Sequence, residues 1–209
     1  RVSGRVRVLV DDAGFAIARL GGCEEGINVH NVLTAEPRGR NPCLMDALKR
    51  TGLAERTGRG INRIFEGALN YGRPLPDYSR SNRRGVSVLL PRSVPDKAFV
   101  ELLAEERERS GKSMSLDGLL ILDKLKSERR CGFDVLSGSL DMSDQRLRTV
   151  LGQLTEAGLV ESAGVGARRT YMLGAKVYRR SGRAMEYVHQ SDIDRVRYPE
   201  LIIELMHEQ

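Results

Sequence analysis

Apolar side chains recur with helical spacing most clearly between Ser143 and Ala157. There Leu147, Val150, Leu151 and Leu154 fall at i, i+3, i+4 and i+7, while Gln145, Arg148, Thr149 and Gln153 take the opposite side. The spacing predicts a helix with one buried face and one face free to touch something. Ser143 suits the N-cap because its hydroxyl accepts an orphan backbone N–H, Asp144 sits on the positive end of the helix dipole, and Gly158 supplies a left-handed stop. A shorter helix over Phe133 to Leu140, with Phe133, Leu136 and Leu140 inward, is separated from it only by Asp141 and Met142, as in a helix-turn-helix. Leu159 to Ser162 and Arg168 to Leu173, joined by the small-residue turn Ala163 to Ala167, predict a hairpin.

A helix-turn-helix followed by a two-stranded wing is the pattern of a winged helix. Its first helix is expected from Ser115 to about Lys126, through Leu116, Leu119, Leu120 and Leu122. Upstream the signals are mixed. Arg5 to Val10 alternates apolar and basic residues, Asp11 to Gly14 is a turn, and Phe15 to Leu20 pairs back as a second strand. Asn41-Pro42 starts a helix with Leu44, Met45 and Leu48 on one face that ends near Thr51-Gly52, and Ile61 to Tyr71 is a second, with Ile61, Ile64, Phe65 and Leu69 as its stripe. The basic cluster Arg80, Arg83 and Arg84 marks a loop, and Val86 to Leu90 closes the segment as a strand. The expected fold class is therefore α+β, divided as residues 1–93, a helical connector over 94–114 with Phe99, Leu102 and Leu103 inward, a winged helix-turn-helix over 115–185, and an amphipathic helix within 186–209. That connector helix runs from Asp96 to about Arg109, and helices are also expected over Ala175 to His189 and Tyr198 to His207. Opening on a strand points to a chain cut from a longer protein.

Charge sharpens this picture. Of the formal +6, residues 1 to 94 carry 16 basic and 9 acidic side chains, and 186 to 209 carry 2 and 6. From Gly164 to Met185 there are six cations (Arg168, Arg169, Lys176, Arg179, Arg180 and Arg183) and no acid, so a polyanion can be held at the wing and the helix after it. The longest aliphatic run, Leu119 to Leu122, is far short of the roughly 20 residues that cross a bilayer, and no signal-peptide pattern opens the chain, so a cytoplasmic protein without membrane association is expected. Cys23, Cys43 and Cys131 lack paired spacing and read as small buried hydrophobes in a reducing compartment. His30, His189 and His207 have no ligand spacing, no nucleophile–base arrangement is discernible, and no P-loop is present; neither a metal site nor enzymatic activity is expected.

Arg40 to Leu44, Thr51 to Arg56, Gly58 to Ile64 and the closing Val86 to Pro91 together resemble the C-terminal region of bacterial transcriptional regulators of the RecG-like or divergent-AAA kind. The resemblance covers most of the chain. It implies a Schlafen AlbA-type domain upstream, a winged-helix region after the pattern, and a second helix-turn-helix whose first helix would begin near Arg195. It also implies that residues 1–93 are a fragment of an α/β sandwich similar to histidine-kinase and gyrase ATPases. On that basis Asp12 and Gly14 partly match the box that reads adenine, while Gly58 and Gly60 match the glycine-rich lid near phosphate. ATP is thus the one candidate cofactor; otherwise none is expected. The helix that would supply a metal-binding Asn and a catalytic Glu is not found before Arg5, and helicase activity has no support in these residues.

The leading expectation is a DNA-binding transcriptional regulator, commonly a homo-oligomer, whose partner is double-stranded DNA. Gln145, Arg148, Thr149 and Gln153 would meet base edges in the major groove, with Gly152 letting the helix lie close and Arg146 touching phosphate. Arg168, Arg169, Arg179, Arg180 and Arg183 would neutralise the backbone. Two alternatives stand beside it: a protein-interaction or dimerisation module, and an ATP-sensing domain coupled to DNA binding.

Overall fold

The computed structural model describes residues 5–29, 31–36, 41–53 and 58–180. The predicted helices after Arg180, Arg183 itself, all three histidines, Arg40 and the stretch 54–57 lie outside these residues. The chain divides into two units between Asp96 and Lys97. No described helix is long and apolar enough to cross a membrane. Both units mix helices with a small antiparallel sheet.

Unit 1 is built on strands β1 (Val6–Asp11), β2 (Gly14–Leu20) and β3 (Gly85–Pro91), in that order, all antiparallel. Asp11 closes the β1–β2 turn: its Oδ1 accepts the N–H groups of Ala13 and Gly14 at 2.9 and 3.2 Å. Between β2 and β3 lie α1 (Pro42–Arg50) and α2 (Arg59–Asn70). Asn41 caps α1 by accepting from Leu44 N, with Pro42 in the first turn. The stripe predicted for α1 buries none of its residues, and Leu44 is 55% exposed. In α2 only Phe65 and Leu69 are buried, and Phe65 stacks on Tyr78 with ring centroids 6.2 Å apart. Burial pushes the Tyr78 hydroxyl above its usual pKa.

Unit 2 holds the larger core. Helix α3 (Lys97–Ser110), read from the sequence as a connector, lies inside this unit: Phe99, Leu102 and Leu103 are buried, and it packs on α7 (Ala175–Arg180) through Val177 and Tyr178. Its one buried charge, Glu106, accepts two hydrogen bonds from Arg109 at 2.6 and 2.9 Å and has Lys176 of α7 at 3.8 Å. Helix α4 (Leu116–Glu128) starts at Ser115, whose hydroxyl accepts from Gly118 N, and runs through the centre with Leu119, Ile121, Leu122 and Leu125 inaccessible to solvent. After it come β4 (Arg130–Gly132), α5 (Phe133–Leu140), α6 (Asp144–Glu156), β5 (Val160–Ala163) and β6 (Thr170–Leu173).

The second sheet has the order β4-β6-β5. The sequence predicts only a two-stranded hairpin here; β4, three residues long, exists because Cys131 pairs with Tyr171 of β6 and needs no periodicity of its own. Of the three cysteines expected to be buried, only Cys131 is; Cys43 is exposed and Cys23 half-buried. The missing strand explains the difference at Cys131, which sits inside the sheet, whereas Cys43 rides on the open face of α1.

Candidate nucleic-acid interface

Helix α6 begins where its cap predicts. Ser143 Oγ accepts from Arg146 N at 3.4 Å, and Leu147, Val150, Leu151 and Leu154 are at most 8% exposed against α4 and β5. The turn before it is fixed by Asp141, held in the left-handed region at φ 49°, and by buried Met142, whose carbonyl accepts the Ser137 hydroxyl at 3.0 Å. The opposite side of α6 is open, and Gln145, Thr149, Gly152, Gln153 and Glu156 are exposed along it. Gly152 sits in the middle of this stripe. A Cβ there would meet nothing within 4 Å, so no neighbour in the chain requires a glycine, although mid-helix glycine costs about 1 kcal/mol relative to alanine.

The polar side chains on this face differ in freedom. Arg148 lies over the Phe133 ring, 4.4 Å from its centre, which holds the guanidinium at the α5–α6 junction. Thr149 donates its hydroxyl back to the Gln145 carbonyl at 2.9 Å. Arg146, expected on phosphate, forms a two-pronged ion pair with Asp117 in the first turn of α4, one bond being 2.7 Å. The sequence did not reveal this partner, because nothing local links α4 to α6.

The β5–β6 connection presents Arg168 and Arg169 to solvent. Gly164 (φ 83°) permits the turn; a side chain there would press on the Arg168 carbonyl. Val165, 85% exposed, stands at the tip. Arg180 is directed elsewhere: it pairs with Glu105 at 2.5 Å and Glu101 at 3.6 Å on α3. Arg179 is exposed but has a partner of its own. The run of cations read as one basic stripe is thus split between an open hairpin and a helix whose charge α3 offsets.

The residues considered for nucleotide do not converge. Unit 1 contains a cavity of about 710 Å³ lined by Asn41, Gly58, Ile61, Asn62 and Tyr78 among others. Gly58, left-handed at φ 68°, is the N-cap of α2, and Gly60 stands in its first turn with open space around it. Asp12 and Gly14 are not among the lining residues. Asp12 is fully exposed at the hairpin and pairs with Arg92 at 3.1 Å, and a Cβ on Gly14 would collide with the Leu90 carbonyl oxygen. Gly14 is accounted for by close strand packing and Asp12 by its ion pair with Arg92, while the turn itself is closed by Asp11.

Comparison with known proteins bears on unit 1 first. Residues 5–90 match the family model described as "Putative ATP-dependent DNA helicase recG C-terminal". Over that segment the chain is similar to this family. The chain is also similar in fold to the crystal structure of the DIP2311 protein from Corynebacterium diphtheriae, with a TM-score of 0.67 and 21% identity over 84% of this chain. The chain spans 37% of the length of that structure. No curated protein matches it.

Proposed function

We propose that unit 2 is a winged helix-turn-helix that binds double-stranded DNA, and that the chain belongs to a cytoplasmic transcriptional regulator acting as a homo-oligomer. The observation that carries this reading is Gly152: a glycine at the centre of an exposed helical face, unexplained by packing, flanked by Gln145, Arg148 and Thr149. A backbone free of side chains lets α6 lie close in a major groove, and the flanking groups suit base edges. Arg168 and Arg169 on the hairpin supply phosphate contacts, and Arg146, committed to Asp117, supports α6 more than it touches DNA. Glu156 at the far end of the stripe keeps the C-terminal turn away from phosphate.

Nucleotide has no step in this proposal, since Asp12 and Gly14 do not fit an adenine-reading role, and no catalytic role is proposed.

The test is fluorescence anisotropy of the chain on mixed duplex DNA across a salt titration. Changing Arg168 and Arg169 to Ala is expected to weaken binding to all sequences and lower the slope of log K against log salt by about 1 to 2. Gln145→Ala or Arg148→Ala is expected to alter sequence preference. Binding that ignores salt, or that needs the exposed face of α6 for assembly of the protein with itself, would replace this reading with a protein-interaction module.

A further inference from the structure

Unit 1 carries a charged surface that the reading of α6 leaves unused. Arg5, Arg7, Arg19, Arg80 and Arg84 line an open groove of about 470 Å³ that has no acidic side chain in its lining. All five are exposed. None of them has a side-chain hydrogen bond or ion pair among the described residues; Arg80 stands near enough to Asp77 to help hold that carboxyl below its usual pKa, though the backbone and side chain of Ser79 do more.

The sheet explains the clustering. Directly opposed residues of antiparallel strands share a face, so Arg7 stands in one row with Ala18 and Ser87, and Arg5 lies two residues before it, just ahead of β1. On this face Arg7 stands among Ala18, Ser87 and Gly85 with the exposed Leu20 beside them, whereas Arg19, in row with Val6 and Val86, belongs to the opposite face of the sheet. The loop before β3 adds Arg80 and Arg84 to the same groove. This is where part of the strongly basic balance of residues 1 to 94 is spent.

We infer that this face of unit 1 is a second binding surface for duplex nucleic acid, gripping the phosphate backbone without reading sequence. Three features favour that partner. The charges are spread along an open groove instead of converging on one buried point, as an extended polyanion requires. Arginines at i and i+2 of a strand stand about 6.8 Å apart, twice the roughly 3.4 Å axial spacing of phosphates on one strand of a duplex. No aromatic side chain lines the groove, so it lacks the stacking platform that holds unpaired bases.

The inference stands apart from the proposal for α6, and one experiment separates them. The full chain, with Arg5, Arg7 and Arg84 changed together to Gln, is titrated with labelled mixed duplex DNA at several salt concentrations, beside the variant with Arg168 and Arg169 changed to Ala. Each lost phosphate contact lowers the salt slope by about 0.9, so the triple variant is expected to lose about 2 to 3 units of slope equally on every sequence, with an unchanged melting curve. Replacing the same three residues by Lys should restore most of it, because a phosphate responds to the point charge. An unchanged slope in the Gln variant overturns the inference while leaving α6 intact. A loss confined to the Gln variant supports it and removes the hairpin from the other proposal. Failure of the chain to bind duplex at all, or displacement of the duplex from the groove by an unstructured poly-glutamate peptide at equal charge concentration, also overturns it.

Discussion

In α6, Leu147, Val150, Leu151 and Leu154 are at most 8% exposed; in β1, Val6, Val8, Leu9 and Val10 are between 56 and 73% exposed. Both segments are regular in the sequence, one with helical spacing and one with strand-like alternation. The difference is in what reaches them. The apolar stripe of α6 meets side chains of α4 and β5, whereas β1 is an edge whose only sheet neighbour is β2 and over which no described helix closes. Periodicity thus reports which residues share a face; it does not report whether the face is covered.

The largest expected effect lies at the covered face. Leu147→Ala removes a side chain inaccessible to solvent and should destabilise unit 2 by about 2 to 5 kcal/mol in urea unfolding followed by circular dichroism. A loss under 1 kcal/mol would mean that α6 is held by something other than this stripe.

On the open side of the same helix the sign reverses. Gly152→Ala should stabilise the protein by about 0.5 to 1 kcal/mol, since helix propensity improves and the new methyl meets nothing. If α6 enters a groove, the same substitution weakens duplex binding; stabilisation with unchanged binding would leave Gly152 without a role there.

A half-buried charge gives a smaller, pH-dependent effect. Burial raises the Asp123 carboxyl above the ordinary 3.8, with Lys126 and Lys124 opposing. In the folded protein the proton is held to higher pH than in the unfolded chain, so stability falls as pH rises from about 3.8 through the folded value, and the penalty remains at neutral pH. Asp123→Asn should therefore melt higher than the parent at pH 7 and converge with it in acid. A constant gap at every pH would assign the effect to packing.

The smallest effect is expected at the edge. Val8→Thr in β1 should change stability by no more than about 0.5 kcal/mol, because the side chain is already 59% exposed. A loss comparable to Leu147→Ala would show that the apolar face of β1 is covered in solution.

Much of the fold was legible where local chemistry decides it. Asn41, Ser115 and Ser143 announce helix starts through side-chain oxygens that accept backbone N–H groups three residues on, and each does so in the structure. The Asp11-to-Gly14 turn is equally local. Strand β4 was not legible, because three residues carry no period and become a strand only by pairing with β6. For the candidate interface, the exposed face of α6 could be read from spacing alone. The division of its charges could not, since Arg146 finds Asp117 on another helix and Arg180 finds Glu105 across the unit. The arginines of unit 1 were visible as an alternating strand and a basic loop, but nothing in their positions along the chain announced one groove.

By itself, then, the sequence determined the helices, their caps, the hairpins and the side of each element that is apolar, because those depend on interactions within a few residues. Only the tertiary structure decided which apolar faces are buried and which cations remain free. Burial and ion pairing depend on distance in space, and residues far apart in the chain acquire that distance only when the elements have packed.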